Sequence, residues 1–236
     1  MVLLITIVPC EPLSIILSII LIIPIHLSGC RQENKGYIEL CIPSSNQFAC
    51  SFNPRCVWDL KIYNNVLYVG SGDYTNDVGP INVYALNLDN FLWSNSGVID
   101  EESVCRFIEI NGDLVIPGVD SCEDWDYGSY YKLVDNEWIK FRNVLNAVHN
   151  FDMIEFDGKL FAGLGVDYGK TPLVLSYDNG QTFYPVNMYK NSEEYISIEE
   201  SLKRVYELFT FKDDLYAVAL RVENNQNYYD LFKYSD

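Results

Sequence analysis

The sequence predicts an all-β fold of antiparallel four-stranded blades, and three observations carry that expectation. A strand–turn–strand pattern recurs four times, in LKIYNNVLYVGSGD (60–73), FIEINGDLVIPGVD (107–120), MIEFDGKLFAGLGVD (153–167) and LFTFKDDLYAVAL (208–220). The equivalent residues Leu67, Leu114, Leu160 and Leu215 recur at about 46-residue spacing with a longer last interval, and that period is the size of a propeller blade. The turns hold residues that tolerate positive φ, which two-residue hairpins need at both central positions.

Each element follows from these. Asn111-Gly112 and Asp157-Gly158 suit a type I′ turn, Asn64-Asn65 tolerates it, and Lys212-Asp213 fits it less well. The segments INVYAL, SYYKLV, PLVLSY and YYDLFKY read as third strands, and NEWIKF and QTFYPV as fourth strands. The charged insert NSEEYISIEESLKRVYE (191–207) accounts for the longer interval and is expected to form a short helix. Four blades are visible. The fourth stops at LFKYSD, where a turn and fourth strand would follow, so two arrangements stay open: an incomplete ring, or a closed ring in which KGYIELCI (35–42) supplies the missing strand.

The composition fits a folded β protein. The hydrophobic fraction is 49%, and 18 Tyr and 12 Phe favour strands. Net charge is −17 with no Lys/Arg run to interrupt it, which argues against a nucleic-acid partner. The excess acid suits a solvated surface, a cation or a cationic ligand.

Residues 1–30 are read as an address rather than as part of the domain at 31–236. They are almost wholly apolar, and the stretch Leu13 to Leu27 has the length of a signal h-region. Leu27-Ser28-Gly29-Cys30 resembles a bacterial lipobox, which implies cleavage before Cys30 and a lipid on its thiol. The expectation is a protein of the cell envelope, extracytoplasmic and held to the membrane by lipid. An uncleaved anchor is the alternative, because Arg31 and Lys35 follow the apolar stretch. Beyond Cys30 come Cys41, Cys50, Cys56, Cys105 and Cys122. A Cys105–Cys122 disulfide would suit an oxidising compartment, while the odd count leaves at least one thiol over.

The stretch LSYDNGQTF (175–183) has Ser176, Asp178, Gly180, Thr182 and Phe183 in the pattern S-x-D-x-G-x-T-W/F. It resembles the Asp-box (BNR repeat) of sialidases and many other β-propellers. The resemblance implies a structural hairpin between third and fourth strands, with Ser176 and Asp178 bonding turn amides and Phe183 packed between sheets. It does not imply a sialidase. That activity would need an arginine triad and a Tyr/Glu pair, and the chain has six Arg and no xRIP motif. The segments VWDLKIYNNVLYVGSGDY, DWDYGSYYKL and HNFDMIEFDGKLFAGLG are also similar to bacterial secreted or lipid-anchored propeller-like proteins, which implies fold and location but no chemistry.

Candidate ligand-binding residues come from one loop position. Asp73-Tyr74, Asp120 and Asp167-Tyr168 lie just past the second strand in three blades, and the loop after Asp120 adds Trp125 and Asp126. Acid beside aromatic groups suits sugars, and clustered carboxylates suit Ca²⁺, the one cofactor the pattern allows. The competing reading is that each Asp caps its own loop. His149, at the start of the third blade's first strand, can serve as a base or be a satisfied structural residue. Trp58 and Phe151 read as core. These residues lead to an extracytoplasmic binding or scaffolding module, with a glycan or a protein as partner. The alternative is a glycoside hydrolase or lyase working through paired carboxylates of an acidic rim.

Overall fold

The computed structural model describes residues 4–6, 18–20, 56–73, 79–120, 123, 126–167, 170–186 and 202–234. The chain divides into two compact units, Met1–Arg55 and Cys56–Asp236. In the first, β1 (Leu4–Thr6) pairs antiparallel with β2 (Ser18–Ile20). Cys30 and the segment 35–42 lie outside the described residues. No helix among the described residues is long and apolar enough to cross a membrane.

Among the described residues of the second unit, every strand pairing is antiparallel. Blade 1 is β3 (Cys56–Tyr63), β4 (Val66–Gly72), β5 (Ile81–Asn87) and β6 (Trp93–Ile99), hydrogen-bonded in that order. Blade 2 repeats the order with β7 (Ile108–Ile110), β8 (Asp113–Pro117), β9 (Tyr127–Val134) and β10 (Glu137–Leu145). Blade 3 is β11 (Ala147–Phe156), β12 (Lys159–Val166), β13 (Leu173–Ser176) and β14 (Tyr184–Pro185). Blade 4 has β15 (Leu202–Phe211), β16 (Asp214–Glu223) and β17 (Gln226–Lys233), and one bridge, Gly165 to Arg204, links it to blade 3.

The first hairpin turn of every blade has both central residues at positive φ: Asn64-Asn65, Asn111-Gly112, Asp157-Gly158 and Lys212-Asp213. The last pair is the one whose residue types suit the geometry least. The register Phe211↔Asp214 of the flanking strands imposes it. Residues 202–207 of the expected helical insert are strand, which corrects that expectation. LKRVYE pairs along β16, and its buried Val205, with the adjoining Leu208, faces blade 3, so sheet pairing overrides local helix preference.

Each blade packs face to face on the next. Tyr68, Val83 and Ile99 of blade 1 meet Leu114, Ile116 and Tyr131 of blade 2. Val115, Tyr130 and Val144 of blade 2 meet Leu160, Ala162 and Phe183 of blade 3. Phe161, Leu173 and Leu175 of blade 3 meet Leu215, Ala217 and Ala219 of blade 4. Leu114, Leu160 and Leu215 thus face the preceding blade, whereas Tyr68, Val115 and Phe161, each the residue after a repeating leucine, face the following one. Close approach decides some positions: a Cβ on Gly163 would stand 2.7 Å from Val205 Cγ1 and 2.9 Å from its carbonyl oxygen, so a side chain there would push blade 4 away.

Candidate functional site

All four blades contribute to a common cavity of about 700 Å³: Trp58 from β3, Cys105 and Arg106 from the segment before β7, Val148, His149 and Phe151 from β11, and Arg204 and Tyr206 from β15. Three of the four blades do so through the same irregularity. Register passes from Val57↔Ser71 to Asp59↔Gly70, from Asn150↔Leu164 to Asp152↔Gly163, and from Val205↔Ala219 to Glu207↔Val218. Each bulge leaves one extra residue: Trp58, Phe151 and Tyr206. An unpaired bulge residue re-aims its side chain away from the sheet's alternation. All three rings line the cavity, together with Cys105 at the equivalent place in blade 2. Trp58 and Phe151 are therefore lining residues rather than core, and Trp58 is 41% exposed. Its indole is held by a bond from Nε1 to the Gly72 carbonyl (3.2 Å). Phe151 lies 5.2 Å from the His149 ring and 4.9 Å from Tyr206.

The residues directly after the bulge lock consecutive blades together. Asp59, Arg106, Asp152 and Glu207 hold equivalent positions. Asp59 Oδ2 accepts from the Phe107 amide (2.7 Å), and Asp152 Oδ2 accepts from the Leu208 amide (2.7 Å), so the carboxylate of one blade satisfies the backbone of the next. Arg106 bonds Asp152 at 2.6 Å and approaches Glu207 at 3.5 Å. Burial pushes the Asp152 carboxyl above its ordinary range, while Arg106 and the Leu208 and Met153 amides pull it back.

A second network sets the cavity wall at Gly118–Asp120. Glu101 is fully buried, and its Oε2 accepts from the Asp120 amide (2.8 Å) while Oε1 accepts from Tyr131 Oη (3.1 Å). Burial pushes this carboxyl up to about 8, against the opposing pull of Tyr131, Lys140 and the Asp120 amide. Val119 then presents its carbonyl to His149 Nδ1 at 2.5 Å, and Asp120 Oδ2 lies 3.5 Å from the same nitrogen. A carbonyl only accepts, so Nδ1 carries the proton and Nε2 the lone pair. Burial lowers the imidazole's pKa below its ordinary value, and Arg204 adds to this, while the Val119 carbonyl and Asp120 oppose it. The ring is thus set up as a neutral, oriented base or acceptor.

Arg204 completes the lining. Its guanidinium lies over the Phe151 ring at 5.7 Å, and Nη1 donates to Tyr206 Oη (3.3 Å). Among the described residues the charged lining of the cavity is Arg106, Arg204 and Asp120, together with His149.

Of the three equivalent aspartates, only Asp120 reaches this cavity. Asp73 is buried, and its amide bonds the Glu102 carbonyl (3.0 Å). The Asp167 side chain is 59% exposed and 3.9 Å from Lys170 Nζ. Asp126 is exposed, and its carbonyl accepts from the Asn146 amide. Tyr74, Trp125 and Tyr168 lie outside the described residues. Equivalent loop positions share an end of the blades, but only a paired strand with a fixed bulge also fixes where a side chain points. Cys105 is a free thiol, so of the two readings open for it, a disulfide to Cys122 or a free thiol, the structure holds the second. It lies at the lining position of blade 2, with Sγ 3.2 Å from Ser103 Oγ, and burial raises its pKa. No group of three or more His, Cys, Asp or Glu among the described residues is arranged to hold a metal ion.

The hairpin at 176–183 is a separate, local structure. Ser176 Oγ donates to Asp178 Oδ1 (2.6 Å) and accepts from the Gly180 amide (2.8 Å), and Asp178 Oδ1 accepts from the Thr182 amide (2.8 Å). Gly180 takes φ +87°. Phe183 is buried between blades 2 and 3, its ring edge-on to Tyr130. These five residues stabilise a turn and do not line the cavity.

Sequence reasoning missed Asp152, Arg106, Arg204 and Glu101. A signal existed for the first: Trp58-Asp59-Leu60, Phe151-Asp152-Met153 and Tyr206-Glu207-Leu208 repeat aromatic–acid–aliphatic at the same place in three blades.

No family model matches the chain, and no curated protein matches it. Among solved structures it is similar to Bacteroides ovatus xyloglucan PUL GH43B, with TM-score 0.40 and 12% identity, over 74% of this chain and 38% of that one. The chain thus spans well under half of that protein, and the likeness says nothing of ligand or chemistry.

Proposed function

We propose that the protein is an extracytoplasmic, lipid-anchored binding module whose ligand is a carbohydrate held in the axial cavity. One observation carries this reading: Trp58, Cys105, Phe151 and Tyr206, one equivalent residue from each blade, surround a single cavity of ligand size. Aromatic faces stack on the apolar faces of sugar rings. His149 Nε2, Asp120 and Arg204 supply acceptors and donors for hydroxyl groups around them. The lipobox-like Leu27-Ser28-Gly29-Cys30 after an apolar stretch supports the envelope location.

A second reading, an enzyme of the hydrolase or lyase kind, is favoured by the orientation of His149, whose Nδ1 is fixed by the Val119 carbonyl and backed by Asp120. Paired carboxylates do not support it, since Asp120 is the one carboxylate among the described residues lining the cavity.

A glycan array followed by incubation of each bound glycan with the protein separates the two. Retention without new reducing ends or unsaturated products supports a binder. Turnover abolished by His149→Ala supports the enzyme. Absence of retention by any glycan, with Trp58→Ala indistinguishable from wild type, would overturn both. Location is tested by fatty-acid labelling in a bacterial host, where Cys30→Ala should abolish incorporation.

A further inference from the structure

We infer that the sugar held in the cavity is an acidic one, its carboxylate seated on Arg204. This rests on the cavity being the ligand site. It adds the ligand's charge, which neither the sequence nor the shape of the cavity supplies.

The argument begins with the surroundings of the arginines. Acidic residues outnumber basic ones 33 to 16, so a surface arginine rarely lacks a carboxylate nearby. Among the described residues Arg106 has Asp152, Arg142 has Glu123, and Arg221 has Asp230 and Glu223. Arg204 alone of these four has no carboxylate partner among the described residues. It meets a phenol oxygen and an aromatic face. Those contacts fix the plane of the guanidinium without neutralising it, and they use one of its five donors.

The neighbours reinforce the point. Arg106, the other cationic lining residue, is committed to Asp152. Asp120, the one carboxylate of the lining among the described residues, lies 3.5 Å from His149 Nδ1. Arg204 shares the cavity lining with Phe151 and Tyr206, which hold its guanidinium, so a sugar in the cavity can bring an exocyclic group to the remaining guanidinium edge. A carboxylate accepts two parallel bonds from that edge, and such pairs are the strong and orienting kind of hydrogen bond. A hydroxymethyl group in the same place offers one weaker bond and leaves the charge unmet.

The test compares D-glucuronate with D-glucose, whose rings differ only at C6, against the purified protein by calorimetry. Protection of Cys105 from alkylation, read by peptide mass spectrometry, reports cavity occupancy independently. Sodium acetate at equal ionic strength controls for a plain anion effect. Glucuronate should bind about tenfold or more tightly than glucose, since a charge-assisted bidentate contact replaces a neutral bond. Arg204→Gln should bring glucuronate down to the glucose value. Arg204→Lys, which keeps the charge but loses the planar fork, should retain part of the preference and guards against a folding defect in the first variant.

Equal binding of the two sugars by the wild type, with Cys105 protected by both, would overturn the acidic ligand and leave the cavity reading intact. A preference for glucuronate unchanged in Arg204→Gln would overturn the role of Arg204. Protection by acetate equal to that by glucuronate would mean that the ring adds nothing, and the sugar acid would fall. If no probe binds or protects Cys105, the cavity reading fails and this inference with it.

Discussion

The hairpin at 176–183 and the inner ends of the blades both put aspartate to structural use, at very different range. Asp178 finds its partners, Ser176 and the Thr182 amide, within four residues. Asp152 reaches the Leu208 amide 56 residues away and pairs with Arg106 of the preceding blade. The outer turn is polar chemistry that a short peptide already specifies. The inner latch exists only once three blades have met. One is exposed and screened by water, the other is buried, where an unmet partner is costly.

The comparison breaks most sharply at Asp152. Asp152→Ala leaves the Leu208 amide and the Arg106 guanidinium without their shared acceptor. It should cost about 3–5 kcal/mol, read as a lower urea midpoint. The substitution should also alter the inner cavity, so thermal stability and sugar affinity should fall together.

Glu101 comes next and tests burial through pH. Its folded carboxyl is raised from 4.5 to about 8, so between those values the folded state holds a proton that the unfolded state releases. Its contribution is fully present below the unfolded pKa and is lost as pH rises through 8. Urea midpoints should therefore decline from pH 5 to pH 8.5. Glu101→Gln, neutral throughout and able to accept from Tyr131 or the Asp120 amide, should flatten that decline. A wild-type slope unchanged in Glu101→Gln would show that another group carries it.

The outer hairpin should respond less. Ser176→Ala removes the acceptor of the Gly180 amide and the donor to Asp178, and should cost about 1–2 kcal/mol while sugar binding is unchanged. Asp178 itself has a pKa lowered by Ser176 and the Thr182 amide. Its contribution is therefore present above its unfolded value and lost as pH falls through the lower folded one, the reverse of Glu101. Tyr130→Phe should have the smallest effect, about 0.5–1.5 kcal/mol, because Asn143 Nδ2 still donates to the Gly180 carbonyl at 2.6 Å. If Ser176→Ala proved as costly as Asp152→Ala, the contrast between local and long-range aspartates would collapse.

The same contrast explains what was readable in the sequence. Leu67, Leu114, Leu160 and Leu215 and the turns Asn111-Gly112 and Asp157-Gly158 disclose the blades, because hairpins are set by residues two to ten positions apart. The Ser176–Asp178–Gly180 turn was legible for the same reason. The cavity was not. Trp58, Phe151 and Tyr206 sit where strict alternation would send them into a sheet interface, and only the bulges turn them out. The triplet carrying this device is broken in blade 2, where Cys105-Arg106-Phe107 replaces aromatic–acid–aliphatic. That break is functional, because Arg106 is the cation that Asp152 needs. Asp73, Asp120 and Asp167 share a sequence position but not a surrounding, and loop spacing alone carries no information about direction.

The latches also impose an order in time. Asp59 to Phe107, Arg106 to Asp152 and Asp152 to Leu208 each join a blade to the one made directly after it. At about 5–20 residues per second, a ribosome takes several seconds to add a blade of about 46 residues, whereas a hairpin closes in about 1–10 μs. Each sheet can therefore be complete before its successor emerges, and each new blade meets a finished face. The Oδ2 of Asp152 that meets Arg106 from the blade before is the same oxygen that accepts from the Leu208 amide of the blade after, so one atom joins three consecutive blades.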